Sequence, residues 1–179
     1  LQGTSRRDLA SLHAALPRRE RRWWNNPREH SLRSESEALR IIDEDQIPRP
    51  YWDPLLRSNA SLKLDFLRTL ARVGFVDWRL SPTCEIGAFF VIKKSGQLRM
   101  VLDCRRANAF FVRPPRTQLA AGSQYAEVQL EGGDRLYIAG SDVEDCFYSW
   151  EQHMDLVEFF SLGTCRAGDV GVTHADGKE

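Results

Sequence analysis

"GAFFVIKKSGQLRMVLDC", residues 87–104, decides the fold. Two runs alternate apolar and polar positions around Ser95-Gly96, a dipeptide that suits a two-residue hairpin turn. With that turn, period-2 alternation places Phe89, Val91, Leu98, Met100, Leu102 and Cys104 on one face, apolar except for Lys93 near the tip. The opposite face carries Lys94, Arg99 and Asp103 and continues into Arg105. The first face is expected in the core and the second in solvent. Lys94 and Arg99 become near-diagonal neighbours, and a planar guanidinium fork beside an ammonium point charge suits a triphosphate. Taken alone, the same pair also suits an ordinary solvated strand face.

Upstream, "SLKLDFLRTLARVGF" (61–75) spaces Leu62, Phe66, Leu70 and Val73 as one helical stripe, with Ser61 placed to cap its start and Gly74 its end. "PRPYWDPLLRS" (48–58) is punctuated by proline and reads as extended. "LASLHAAL" (9–16) has helical spacing up to Pro17. "RRERRWWNNPREHS" (18–31) sets four arginines beside Trp23 and Trp24. It suits either nucleic-acid contact by charge and stacking or a linker helix with two packed tryptophans.

Downstream, "GGDRLYIAG" (132–140) reads as a turn and a short buried strand, followed by helical potential in "VEDCFYSW". "DLVEFFSL" (155–162) is apolar enough for another strand, and "CRAGDVGVTHADGKE" (165–179) consists of turns and one weak apolar stretch. A hairpin, a helix and further strands without βαβ alternation give the α+β class, an antiparallel sheet with packed helices.

The chain has 179 residues, 42% hydrophobic and 28% charged, with a formal net charge of zero. That composition is globular rather than disordered. The charge is segregated. Residues 1–40 hold nine Arg against five acids, residues 91–116 seven Lys or Arg against Asp103 alone, and residues 127–158 nine acids against Arg135. A basic segment followed by an acidic one suits a site that grips phosphates on one wall and holds cations on the other, or two solvated faces of opposite sign. Cys84, Cys104, Cys146 and Cys165 show no C-x-x-C spacing, which disfavours zinc and points to free thiols in a reducing, intracellular compartment. No apolar run approaches the length of a membrane span, so no membrane partner is expected. The opening Leu and the end shortly after a strand-like run read as those of a fragment.

"FFVIKKSGQLRMVLDCRRAN" (89–108) resembles the fingers hairpin of reverse transcriptases of the retroviral and retrotransposon type. The family pattern of Lys-Lys, turn, basic-apolar alternation and Asp-x-Arg-x-x-Asn is matched by Lys93, Lys94, Arg99, Asp103, Arg105 and Asn108. "SDVEDCFYSW" (141–150) resembles the first catalytic motif of that family, an Asp followed five residues later by an aromatic. The resemblance covers roughly residues 50–165 and the motifs stand in the family's order.

It implies a partial fingers–palm of a right-hand polymerase over residues 49–179, preceded by an Arg-rich extension or linker over residues 1–48. The activity implied is RNA-directed DNA polymerisation, transferring a nucleotidyl group from a dNTP to a primer 3′-hydroxyl with two Mg2+ ions. The partners implied are an RNA or DNA template with its primer, the dNTP and the remainder of the polymerase chain. Asp142 is the catalytic metal ligand, with Val143 lending its carbonyl. The amides of Asp145 and Cys146 are placed to meet triphosphate oxygens. Phe147 is placed as a steric gate against a ribose 2′-hydroxyl, and Glu144 faces solvent. Lys93, Lys94 and Arg99 hold the nucleotide, with Lys94 preferred over Lys93 as the partner of Arg99; a loop longer than two residues would exchange them. Arg105 and Arg106 are candidates for the template backbone, although a structural Asp103–Arg105 pair fits equally.

The family's second motif, x-Asp-Asp after an aromatic residue, does not occur after Phe147. One Asp alone cannot hold two metals, so the 179-residue chain is expected to be inactive by itself. The alternative is an inactive retroelement remnant that binds nucleic acid through residues 1–40 and 91–116.

Overall fold

The computed structural model describes residues 12–116, 122–125, 127–140 and 152–173. In chain order, helices α1 (Leu12–Ala15), α2 (Arg18–Asn25), α3 (Pro27–Ser31), α4 (Glu35–Glu44), α5 (Pro54–Ser58) and α6 (Ala60–Arg72) precede the hairpin β1 (Gly87–Ile92) and β2 (Leu98–Asp103). Helices α7 (Arg105–Phe110) and α8 (Gly122–Tyr125), a 3-10 helix Met154–Phe159 and α9 (Ala167–Val170) follow. Among the described residues, this is a mixed helix-and-strand fold around a two-stranded antiparallel sheet.

The sequence locates the hairpin but not its register. Pairing runs from Gly87↔Asp103 to Ile92↔Leu98 and then continues, because the Lys93 N–H donates to the Gln97 carbonyl at 2.7 Å. The loop is therefore Lys94-Ser95-Gly96, closed by the Gly96 N–H donating to the Lys93 carbonyl at 2.9 Å. Gly96 sits at φ +80°, the left-handed position that ends such three-residue loops. The expected two-residue turn would need positive φ at Ser95 as well, and Ser95 does not adopt it.

One extra loop residue exchanges faces on one strand relative to the other. Ala88, Phe90, Ile92, Leu98, Met100 and Leu102 now share a face, while Phe89 and Val91 lie opposite, with Lys93, Arg99 and Asp103. Cys104 and Arg105 lie beyond the ladder, at the cap and first position of α7.

Helix α6 forms where the stripe places it, but its cap and its buried face differ. Asn59, rather than Ser61, accepts from the Leu62 N–H at 3.0 Å, and Gly74 closes the far end at φ +75°. Leu67 and Leu70 are buried, whereas Leu62 is 42% exposed. The inward face is rotated by about one residue because Phe66 meets Phe90 edge-on at 5.7 Å and Lys63 lies over the Trp52 ring at 3.7 Å. Burial lowers the pKa of Lys63 despite nearby Glu85 and Cys165.

Behind the hairpin, Ala38 and Ile42 of α4 join Trp52, Leu56, Leu70, Ile86, Ala88, Met100, Ala107 and Phe110 in one hydrophobic cluster. Ser34 caps α4, accepting from Glu37, and Arg33 ties α4 to the end of α7 by donating to the carbonyls of Ala109 and Phe111.

Two expected strands are absent from the described residues. Residues 155–162 fall in the 3-10 helix and its exit instead. Leu156 and Phe159, three residues apart in the 3-10 helix, are buried on one side of it, and Leu162 is buried beyond its exit. Strand-like contact is confined to residues 84–86 against 158–161, where the Ile86 N–H donates to the Ser161 carbonyl at 2.7 Å. In 132–140, an Asp134–Glu131 turn leads into extended chain with Tyr137 82% exposed, not a buried strand.

The rotated helix face has a measurable consequence. Leu70→Ala is expected to lower unfolding free energy by about 3 kcal/mol in urea titration, and Leu62→Ala by less than about 1 kcal/mol. Equal losses at the two positions would restore the stripe read from spacing.

Candidate functional site

The hairpin is clamped at its root and bare at its tip. At the root, residues 50–53 cross the face that holds Gly87 and Asp103. The Tyr51 N–H donates to Asp103 Oδ2 at 2.7 Å, and the Asp53 N–H donates to the Ala88 carbonyl at 2.8 Å. A Cβ on Gly87 would collide with the Tyr51 carbonyl, so only glycine admits this crossing. Tyr51 stacks edge-on against Phe89 at 5.2 Å.

Asp103 is the buried charged residue of this part of the chain, at 7% exposure. Arg105 reaches back to it as a fork, Nε to Oδ1 at 2.8 Å and Nη2 to Oδ2 at 2.7 Å. The Arg105 N–H adds a longer bond to Oδ1 at 3.3 Å. The Arg105 side chain, then its burial-opposed backbone donors at Tyr51 and Arg105, hold the Asp103 carboxyl down at about 2.

Lys93 and Arg99 lie past this clamp on the same face, with Lys93 two pairs nearer the tip. As diagonal cross-strand neighbours their Cβ atoms lie within roughly 8 Å. Lys94 is part of the loop and exposed. Because the loop has a third residue, Lys93 rather than Lys94 shares the face of Arg99. On the other face of the tip, Ile92 and Leu98 are 76% and 66% exposed, while Phe90 and Met100 nearer the root are packed.

Arg105 is committed to Asp103, and Arg106 is half-buried with its Nε facing no protein acceptor among the described residues. Asp142, Val143, Glu144, Asp145, Cys146 and Phe147 lie outside the described residues. Among the described residues no group of three or more His, Cys, Asp or Glu is arranged to hold a metal ion. Cys84, Cys104 and Cys165 are free, with burial raising the pKa of all three thiols. No helix among the described residues is long and apolar enough to cross a membrane.

Sequence reasoning did not single out Gly87 or Tyr51 for the clamp. The available signal was a glycine opening a β-rich run, which marks close backbone approach.

No protein-family model, no curated protein and no solved structure matches this chain.

Asp103→Ala is expected to cost about 2–3 kcal/mol in chemical denaturation, because it leaves the Tyr51 N–H and the Arg105 fork without their acceptor. The folded carboxyl titrates at about 2, below the ordinary 3.8, so its contribution is present above about pH 4 and fades as pH falls toward 2. The gap between wild type and the Asp103→Ala variant should narrow over that window. A gap constant with pH would show that the carboxylate is not the clamp.

Proposed function

We propose that this chain carries the fingers hairpin and first catalytic motif of an RNA-directed DNA polymerase. The observation that supports it is the side-by-side placement of Lys93 and Arg99 on a free hairpin tip whose root is fixed through Asp103 and Gly87. A triphosphate needs cations that are close together, solvent-facing and held by a rigid base. Lys93 and Arg99 are close together on one face, Arg99 exposed and Lys93 half-buried, above a fixed root, and the sequence places Asp142 downstream at the end of an apolar run.

In this reading Asp142 and the Val143 carbonyl would hold Mg2+, which would supply Lewis-acid neutralisation of the phosphates and of the primer 3′-hydroxyl. Lys93 and Arg99 neutralise the triphosphate and orient it. The amides of Asp145 and Cys146 meet the remaining oxygens, and Phe147 stacks beneath the sugar where a 2′-hydroxyl would collide. The chain alone does not polymerise, because a second pair of carboxylates completes the metal site. Arg105 acts through Asp103 to stiffen the hairpin rather than by touching the template. A remnant without activity, binding nucleic acid only, is the competing reading; nucleotide affinity separates the two.

Titration of the full chain with a dNTP and Mg2+ tests the face assignment. Lys93→Gln and Arg99→Gln are each expected to weaken binding about tenfold, and Lys94→Gln less than about threefold. Absence of any dNTP binding by the wild type would end the polymerase reading. A second prediction concerns sugar choice: in an enzyme completed by the second motif, Phe147→Ala raises ribonucleotide incorporation relative to deoxynucleotide. An unchanged ratio in primer extension removes the gate.

A further inference from the structure

Helix α2 divides its residues sharply between two sides. Trp24 points inward and meets His153 edge-on at 5.0 Å. Arg21 also turns inward, donating from Nε to the Leu16 carbonyl at 2.8 Å and from Nη2 to the Ala14 carbonyl at 3.1 Å. The next helix is anchored in the same sense, through Arg28 to Glu158 of the 3-10 helix. So Trp24 and, one helix on, Arg28 hold this region against residues 153–158, while Arg21 ties α2 back to the turn that precedes it.

Its other side is different. At about 100° per residue, the order around the outer surface is Asn25, Arg18, Arg22, Arg19, Trp23 and then Glu20. Arg18, Arg19 and Arg22 are exposed, and among the described residues none of them is paired with a carboxylate. Arg28, Arg33, Arg40, Arg68, Arg79 and Arg105 each have a carboxylate partner, whereas Arg18, Arg19 and Arg22 gather on one helix face without one among the described residues. Trp23 continues the arc. It leans on His30 with ring centroids 4.9 Å apart, yet remains 54% exposed. A half-exposed ring next to Arg19 and Arg22, with Arg18 further along the arc, is complementary to a polyanion that carries flat rings.

We propose that this arc of α2 is a docking surface for single-stranded nucleic acid, with Arg18, Arg19 and Arg22 on the phosphates and Trp23 stacked on an unpaired base. Arg18 and Arg22 stand one helical turn apart, roughly 6 Å along the axis, so they address neighbouring phosphates rather than one. Trp23, at the edge of the arc, needs an open base face, which a duplex conceals and a single strand offers. The surface does not depend on the polymerase reading. A chain that binds no dNTP is still expected to hold a strand here, and loss of this surface leaves the hairpin untouched.

The experiment is fluorescence anisotropy of the full chain with a labelled oligo-uridine of about 20 nucleotides across a salt series, with a duplex of equal length and phosphatidylserine vesicles as comparison probes. Replacing Arg18, Arg19 and Arg22 together by Gln is expected to weaken strand binding at least about tenfold and to lower the salt slope by about 2, the value for three phosphate contacts on a single strand. Trp23→Ala is expected to weaken it about tenfold while Trp23→Phe stays within about threefold, which separates stacking from misfolding. Arg57→Gln, on the exposed surface of α5, should leave this binding unchanged. Wild-type affinity in both the triple-arginine and Trp23→Ala variants would overturn the proposal. So would duplex or vesicles bound as tightly as the strand and indifferent to Trp23→Ala.

Discussion

The carboxylate of Asp103 is the constraint on which the described structure turns. It is buried, and a buried carboxylate is stable only when its oxygens are occupied. Arg105 and the Tyr51 N–H occupy them, and in doing so they join three segments distant in sequence: the proline-rich crossing at 50–53, the end of β2 and the start of α7. The crossing in turn requires glycine at 87. Below this point the hairpin shares the hydrophobic cluster with α4, α6 and α7, and above it Ile92, Leu98 and Arg99 are exposed and Lys93 half-buried. A rigid root and an exposed cationic tip thus follow from one ion pair and one missing side chain.

Two cationic surfaces result, and they differ in how their charges are spent. At the hairpin, Lys93 and Arg99 are set side by side by strand register. On α2, three arginines share an arc by helical period while Arg21 and Trp24 secure the helix inward. Arg105 and Arg33, close in composition to these, are consumed by structure. Local charge density in the sequence does not distinguish the two kinds; the presence of an acceptor in the fold does.

The hairpin, α6 and the mixed class were legible in the sequence because alternation and 3.6-residue spacing act over many positions. What failed depended on single residues. Ser95-Gly96 fits a two-residue turn and also the end of a three-residue loop, and the difference moves Phe89 and Val91 off the core face and brings Lys93 beside Arg99. Residues 155–162 were apolar enough for a strand, but their buried set, Leu156, Phe159 and Leu162, has a period of three. Leu136, Tyr137 and Ile138 have strand-like chemistry and remain exposed, since burial depends on a surface to pack against and not on the segment itself. The root of the candidate site was half legible. Asp103–Arg105 could be read as a pair, whereas Gly87 and Tyr51 meet only through tertiary crossing. Asp142, Val143, Asp145, Cys146 and Phe147 lie outside the described residues, so their roles rest on the resemblance alone.

The register of the hairpin is the claim from which the placement of Lys93 beside Arg99 descends, and it is directly observable. In nuclear magnetic resonance spectra of the full chain, Hα–Hα cross-peaks between Phe90 and Met100 and between Ile92 and Leu98 are predicted, because these residues face each other across the strands. Cross-peaks displaced by one residue, joining Val91 to Met100 and Lys93 to Leu98, would contradict it and return Lys94 to the side of Arg99.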